Sequence, residues 1–305
     1  MSSNDTSPAR WERLSANPSN VGGLPILRAL PTAKRRMVGA WCFLDHCGPA
    51  DLTPENAMRV GPHPHTGLQT YSWMIEGEIL HRDSLGFKQL LRPCQVNLMT
   101  AGRGISHSEE SQSDRMQLAQ LWIALPEAQR YCDPAFEHFP DLPGFKTGGF
   151  DTMLLVGEFG GERSPVPSHS PLLGMDLSSS GAASAQLGLR ADFEYGLMVL
   201  EGELDASLDG DAAGRCGPGE LLYLAPGTQT LDLVSPGASR VLLLGGPPFG
   251  EEVLLWWNFV GRSREEMTGF TAEWNGTEDG GVFGQVVGFD GPRLTAPVVP
   301  VLKVA

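Results

Sequence analysis

The sequence contains no Cys-x-x-Cys pair, and its five cysteines (Cys42, Cys47, Cys94, Cys132 and Cys216) form an odd, scattered set. That pattern supports neither a disulfide framework nor a thiolate zinc site. No apolar run approaches the ~20 residues needed to span a bilayer, and Met1–Arg10 is polar, without the apolar stretch of a secretory signal. Positive charge is scarce as well: 22 Lys and Arg stand against 36 Asp and Glu, a formal charge of −14. Such a chain repels phosphate backbones and anionic lipid, which argues against direct nucleic-acid or membrane binding as its main role. The one basic run, Lys34-Arg35-Arg36, reads as a solvated loop. Together these absences lead to the expectation of a cytoplasmic protein.

What is plentiful is glycine and proline, 38 and 24 of 305 residues, set between short apolar stretches in a chain that is 41% hydrophobic. Thr70–Ile75 precedes Glu76-Gly77, Val96–Met99 precedes Ala101-Gly102, and Leu118–Leu125 precedes Pro126. Runs of this length, closed by turn residues, are strands rather than helices. Residues 1–23, rich in Ser, Asn, Pro and Gly, read as a flexible arm. A first strand-rich domain is expected over residues 24–140 and a second over 150–305, with a polar, proline-containing connector at about 127–149. One short helix is expected near the C-terminus, where Ser263 caps a first turn carrying Glu265 and Glu266. The aromatic residues Trp256, Trp257 and Trp274 read as packing residues.

The chain also repeats itself. A shift of 125 residues lays Glu76-Gly77-Glu78 on Glu201-Gly202-Glu203, Pro93 on Pro218, Gly102 on Gly227, and the apolar run Val96–Met99 on Leu221–Leu224. A constant offset over that span indicates two copies of one all-β unit.

Within the first copy, Gly61-Pro-His-Pro-His-Thr-Gly67 and Gly102-Arg-Gly-Ile-Ser-His-Ser-Glu109 each lead into a strand. His63 and His65 are two residues apart, as are His107 and Glu109, so on extended backbone each pair aims two donor groups at one face. Three imidazoles and a carboxylate suit one mononuclear divalent transition metal, Fe(II), Mn, Ni, Cu or Zn, and suit Ca or Mg poorly. A blander reading remains open on spacing alone: a surface His-x-His turn and an ordinary strand histidine. The duplicate weighs against it, because the 125-residue shift places Gly188, Arg190, Asp232 and Val234 where the four donors stand. The fold therefore does not require them.

These segments resemble the pirin family, a two-barrel group of the cupin superfamily. The resemblance is carried by Arg36-Met-Val38, Gly61-Pro-His-Pro-His65, Leu80-His-Arg-Asp-Ser-Leu-Gly86, Met99-Thr-Ala-Gly-Arg-Gly104, His107-Ser-Glu109, Gly245-Gly-Pro-Pro248 and Trp257-Asn-Phe259. It implies two cupin-type (jelly-roll) β-barrels, the first holding a metal through His63, His65, His107 and Glu109, the second without metal ligands. It further implies Fe(II) as the leading metal and an activity of the quercetin 2,3-dioxygenase type. In that reading O₂ and a flavonol or similar hydroxylated aromatic are the substrates, and Glu109 is the catalytic base. The alternative it carries is a non-enzymatic, iron-binding redox regulator acting through a protein partner. Gln69 stands where many relatives have Glu and would then tune the metal's surroundings. His81 is expected to be framework, Arg82 and Asp83 a buried pair, Glu110 solvent-directed, and Cys94 a buried small residue.

Overall fold

In the computed structural model, which describes residues 10–300, almost every apolar run becomes an antiparallel strand. In the first half, a four-stranded sheet runs Arg59–His65, Ile105–Ser111, Ile79–Asp83, Lys88–Leu91. It faces a seven-stranded sheet in the order Ala135–Phe139, Val96–Thr100, Leu68–Glu76, Arg115–Ala124, Trp41–Asp51, Leu24–Leu30, Asn17–Val21. The second half repeats the plan with Ala183–Gly188, Thr230–Ser235, Leu204–Leu208 and Asp211–Cys216 in the small sheet. Its large sheet is ordered Trp11–Ser15, Glu220–Leu224, Glu194–Glu201, Ser239–Gly246, Leu173–Ser179, Phe150–Val156, Gly144–Thr147. The molecule is thus two cupin barrels built on one pattern, with a single α-helix, Arg264–Gly276, among the described residues. Ser263 caps that helix by accepting the backbone N–H of Glu266, as its sequence anticipates. No helix of the described residues is long and apolar enough to cross a membrane.

Period-two alternation decides what each strand faces. On Leu68–Glu76, Thr70 turns toward the inside of the first barrel, while Tyr71 and Trp73 turn outward into a core shared with Leu155, Met198 and Leu221 of the second. The two large sheets pack back to back through that core, and its polar atoms are paired. Trp73 Nε1 donates to Asp176 (2.8 Å), and the Tyr71 hydroxyl donates to the Leu155 carbonyl (2.7 Å). At one point the barrels touch backbone to backbone: a Cβ on Gly39, at φ +53°, would stand 2.8 Å from Gly246 Cα. Only glycine fits there.

Three boundaries differ from the sequence reading. The expected arm holds two strands: Trp11–Ser15 pairs along Glu220–Leu224 of the second barrel, and Asn17–Val21 along Leu24–Leu30 of the first. Residues 1–9 of that arm lie outside the described residues. Asn and Pro are poor strand formers, but Trp11 packs against the core of the second barrel and Leu14 into the core between the barrels, and that burial against an open sheet edge outweighs propensity. The connector likewise holds a strand for each barrel, Ala135–Phe139 and Gly144–Thr147. Third, the C-terminal segment assigned to the second domain lies on the first. Thr66 bridges Phe259, Leu294 N–H donates to the Pro62 carbonyl (2.8 Å), and Arg130 pairs with Glu266 of the helix (2.9 Å). Each barrel is therefore completed by the opposite end of the chain. Arg35 is no free surface charge either, since its guanidinium lies 3.5 Å from the Tyr223 ring centre.

Candidate metal centre

The small sheet of the first barrel assembles the site. His107 is the cross-strand partner of His63 on one side and Asp83 on the other, and Glu109 is opposite His81. The ladder shifts register between His107 and Glu109. His63, His65 and His107 each bring a ring nitrogen within 4.8 Å of the other two, all three buried. Glu109, 9% exposed, lines the same cavity but groups within 4.8 Å with His107 and His81. The four predicted donors thus share one cavity, and three of them form the tight set.

The ring nitrogens not facing this set are committed elsewhere. His63 Nδ1 donates to the Gly61 carbonyl (2.9 Å), and His65 Nδ1 to the carbonyl of Asn258 (3.0 Å), brought in by the C-terminal segment. Both Nε2 atoms are thereby left as acceptors. His65 Nε2 lies 3.1 Å from His107 Nε2. Two nitrogens bound to one metal at right angles, with bonds of about 2.1 Å, stand about 3 Å apart. Burial pushes the His63 imidazolium down to about 4, and lowers His65 and His107 well below the ordinary histidine value, with their neighbours' charge adding to the effect. All three are neutral at pH 7, the form that ligates. Burial also raises the Glu109 carboxyl, an effect opposed by His81 and Ser72. This donor set fits a transition metal.

The cavity, about 530 Å³, lies within the range of small-molecule sites. One wall is aromatic: Phe43 stacks on Trp122 with centres 3.9 Å apart, and Trp122 meets His65 edge-on at 5.2 Å. Arg28 lies over Phe43 (4.6 Å) and forks onto Asp45 through Nε and Nη2 (2.8 and 2.7 Å). Trp257 and Asn258 close the wall from the C-terminal segment.

In the second barrel the strand partners identify the equivalent positions. Leu231 pairs with Leu208 and Leu187 as His107 pairs with Asp83 and His63, and Leu233 is opposite Ala206 as Glu109 is opposite His81. The donors' counterparts are Leu187, Leu189, Leu231 and Leu233, not the Gly188, Arg190, Asp232 and Val234 of the 125-residue shift. At these strands the offset is 124, because the connecting loops differ by one residue. A one-residue slip exchanges the two faces of a strand. The corrected control is the stronger one: where the first barrel has imidazoles and a carboxylate, the second has a continuous leucine core.

Several smaller readings change. Gln69 lies on the outward face of its strand, donating to Thr100 Oγ1 (2.9 Å), and does not line the cavity, so it cannot tune the metal's surroundings directly. Its counterpart Glu194 holds Gly39 N–H and the Tyr223 hydroxyl. Asp83 pairs with His81, not Arg82, and Arg82 joins Arg59 on Glu110, which is held in these bridges on an inner strand of the sheet. Cys94 is exposed, at φ +64° in the turn where the second barrel has Gly219 at φ +77°. Of the aromatic residues read as packing, Trp274 is buried in the C-terminal cluster, while Trp257 lines the cavity.

The chain matches the family model described as Pirin over residues 23–123 and that of the Pirin C-terminal cupin domain over residues 174–279. It is 49% identical to a Pseudomonas aeruginosa protein provisionally named quercetin 2,3-dioxygenase, over 98% of this chain and 95% of that one. It is 36% identical to a Caulobacter vibrioides pirin-like protein, covering 85% and 91% of the two. Among solved structures, a quercetin 2,3-dioxygenase from Acinetobacter baumannii superposes with a TM-score of 0.90 at 43% identity, over 96% and 97% of the chains. The Escherichia coli pirin YhhW, crystallised with nickel(II), shares the fold at a TM-score of 0.60 and 20% identity, over 78% and 99%.

Proposed function

The chain belongs to the pirin family, and from that premise we propose that it is a metal-dependent dioxygenase of the quercetin 2,3-dioxygenase type. Its substrate would be a flavonol or a similar hydroxylated aromatic, with O₂. The observation that carries this is the convergence of three neutral, buried imidazoles beside a flat aromatic wall in a cavity of about 530 Å³. His63, His65, His107 and Glu109 would hold the ion, Fe(II) first, with Mn, Ni, Cu or Zn also compatible with the donors. A redox-active ion among these would supply the one-electron chemistry that O₂ needs to react with a closed-shell aromatic.

The protein's own contribution is positioning and proton handling. Phe43 and Trp122 offer a planar surface against which an aromatic ring stacks. Arg28 spends two of its N–H-bearing nitrogens on Asp45, which leaves Nη1 for a substrate oxygen. Glu109, with its carboxyl raised by burial, would take the proton of the substrate's hydroxyl. The buried walls keep bulk water from the reacting groups. A cavity sized for a small molecule supports this reading over a regulator working through a protein surface.

The test is to load the metal-free protein with Fe(II), Mn(II), Ni(II), Cu(II) or Zn(II) and follow loss of quercetin's visible absorbance in air. Turnover is expected with at least one metal. Glu109→Gln should retain part of the metal and lose about 10²-fold or more in kcat. No turnover with any of these metals would refute the assignment, and equal turnover of metal-matched wild type and Glu109→Gln would refute the role given to Glu109.

A further inference from the structure

The hydrogen bonds behind His107 run through a second histidine to a carboxylate. His107 Nδ1 lies 3.4 Å from His81 Nδ1, and His81 Nε2 lies 3.1 Å from Asp83 Oδ2. Asp83 is fixed in turn, because its Oδ1 accepts the backbone N–H groups of Leu85 (2.9 Å) and Phe87 (3.1 Å). The side chains are buried, 3% exposed for His81 and 0% for Asp83. His81 is also clamped from its face, stacked on Phe136 at 4.4 Å and 14°.

We infer that His81, held by Asp83, is a positioning residue that fixes the ring orientation and tautomer of His107 for metal binding. The logic follows from which nitrogens can carry hydrogen. Asp83 as a carboxylate accepts only, so His81 Nε2 is the donor and, in the neutral ring, His81 Nδ1 is the acceptor. His107 Nδ1 must then carry the hydrogen, and His107 Nε2 presents a lone pair. His65 Nε2 does the same, because its Nδ1 donates to Asn258. Two lone pairs therefore lie 3.1 Å apart, an arrangement that a cation bound by both would make favourable. A ligating histidine oriented by a hydrogen bond through its other nitrogen is a general device, and here the orienting group is itself an oriented histidine.

A second observation points the same way. Where the first barrel has His81 and Asp83, the strand register of the second puts Ala206 and Leu208. The pair disappears together with the ligands, although the strand itself persists with the same length. His81 also lies within 4.8 Å of Glu109 and His107, so direct ligation is the competing role. In the arrangement present, both of its ring nitrogens are already engaged, with His107 and Asp83.

The inference rests on the metal-centre reading, and Ni(II) is a suitable probe of both. Three variants are compared with wild type: His81→Phe, which keeps the stack on Phe136 without an acceptor; His81→Asn, which restores an amide oxygen near the Nδ1 position; and Asp83→Asn, which weakens the support. Thermal melts in chelator establish that each variant folds. Competition against a chelator should show His81→Phe binding Ni(II) about 10–100-fold more weakly than wild type, Asp83→Asn intermediate, and His81→Asn restored to within about threefold. X-ray absorption should count the same number of imidazoles on Ni(II) in wild type and His81→Phe. Unchanged affinity in folded His81→Phe overturns the inference, as does loss of one imidazole from that count, which would make His81 a ligand. If His81→Phe does not fold, unchanged affinity in Asp83→Asn overturns it. Wild type that fails to bind one Ni(II) overturns both this and the metal-centre reading, whereas wild-type binding with indifferent variants sinks only the inference.

Discussion

Replacing Glu109 by leucine should stabilise the protein without metal and destabilise it with metal. The second barrel has already made this exchange, carrying Leu233 at the equivalent register within its leucine core. In the first barrel Glu109 is 9% exposed, and burial raises its carboxyl, so the metal-free fold encloses a polar group whose charged form burial disfavours. A fully buried leucine side chain contributes about 1.5–3 kcal/mol over an exposed one. Part of that is already supplied by the methylenes of Glu109, leaving an expected gain of about 1–2 kcal/mol. Metal reverses the order. At a free metal concentration about 1,000 times Kd, binding adds about 4.1 kcal/mol to wild type. A variant binding about 100-fold more weakly gains only about 1.4 kcal/mol at the same concentration. Urea unfolding of both proteins, once with chelator and once with Ni(II), should therefore give curves that change places. If Glu109→Leu is the less stable protein in chelator, the carboxylate contributes to packing or hydrogen bonding. The contrast drawn between the two barrels would then be wrong.

Two further outcomes follow from residues outside the cavity. His46 is buried between the barrels beside Gln117 (3.1 Å), and burial, with Arg240 nearby, holds it at about 4. Its folded pKa lies below the ordinary 6.5, so between these values the unfolded chain takes up a proton that the folded one refuses. The stability it permits is present above pH 6.5 and falls as the pH drops toward 4, by about 2 kcal/mol at pH 5. Metal-free His46→Gln should lose about 2 kcal/mol less than wild type between pH 7 and pH 5, and parallel losses in urea titrations would contradict this. Leu14, 3% exposed on the N-terminal strand, packs into the core between the barrels. Leu14→Ala should cost about 2–5 kcal/mol in denaturant unfolding, and a cost below about 1 kcal/mol would show that strand to be dispensable.

Period-two spacing puts His63 with His65, and His107 with Glu109, on one face each, because strand alternation is a property of the backbone alone; pairing of the two strands brings them to one cavity. The same rule applied to His81 and Asp83, also two residues apart, reveals the support of His107. Arg82 and Asp83, adjacent in sequence, point to opposite faces of the strand and pair with Glu110 and His81 instead. The repeat was legible through its turns, since Gly77 and Gly202 share a left-handed conformation, as do Cys94 and Gly219. It slipped by one residue at the ligand strands because a rigid shift has no means to register a loop one residue longer. Contacts between remote segments left no local signal. His65 with Asn258, and Trp11–Ser15 with Glu220–Leu224, exist only once the chain has closed on itself.

That closure has a consequence during biosynthesis. The histidines of the first barrel are made well before the carbonyl that orients His65 and the Trp257 side of the cavity, which lie about 193 residues beyond His65 along the chain. A nascent polypeptide halted before residue 258 carries all four donors yet has an open pocket and an unanchored His65 ring. Trp11–Ser15 likewise emerges about two hundred residues before the edge it joins. The cavity is thereby complete only after residues 257 and 258 have been made, so products truncated before them should lack its finished wall.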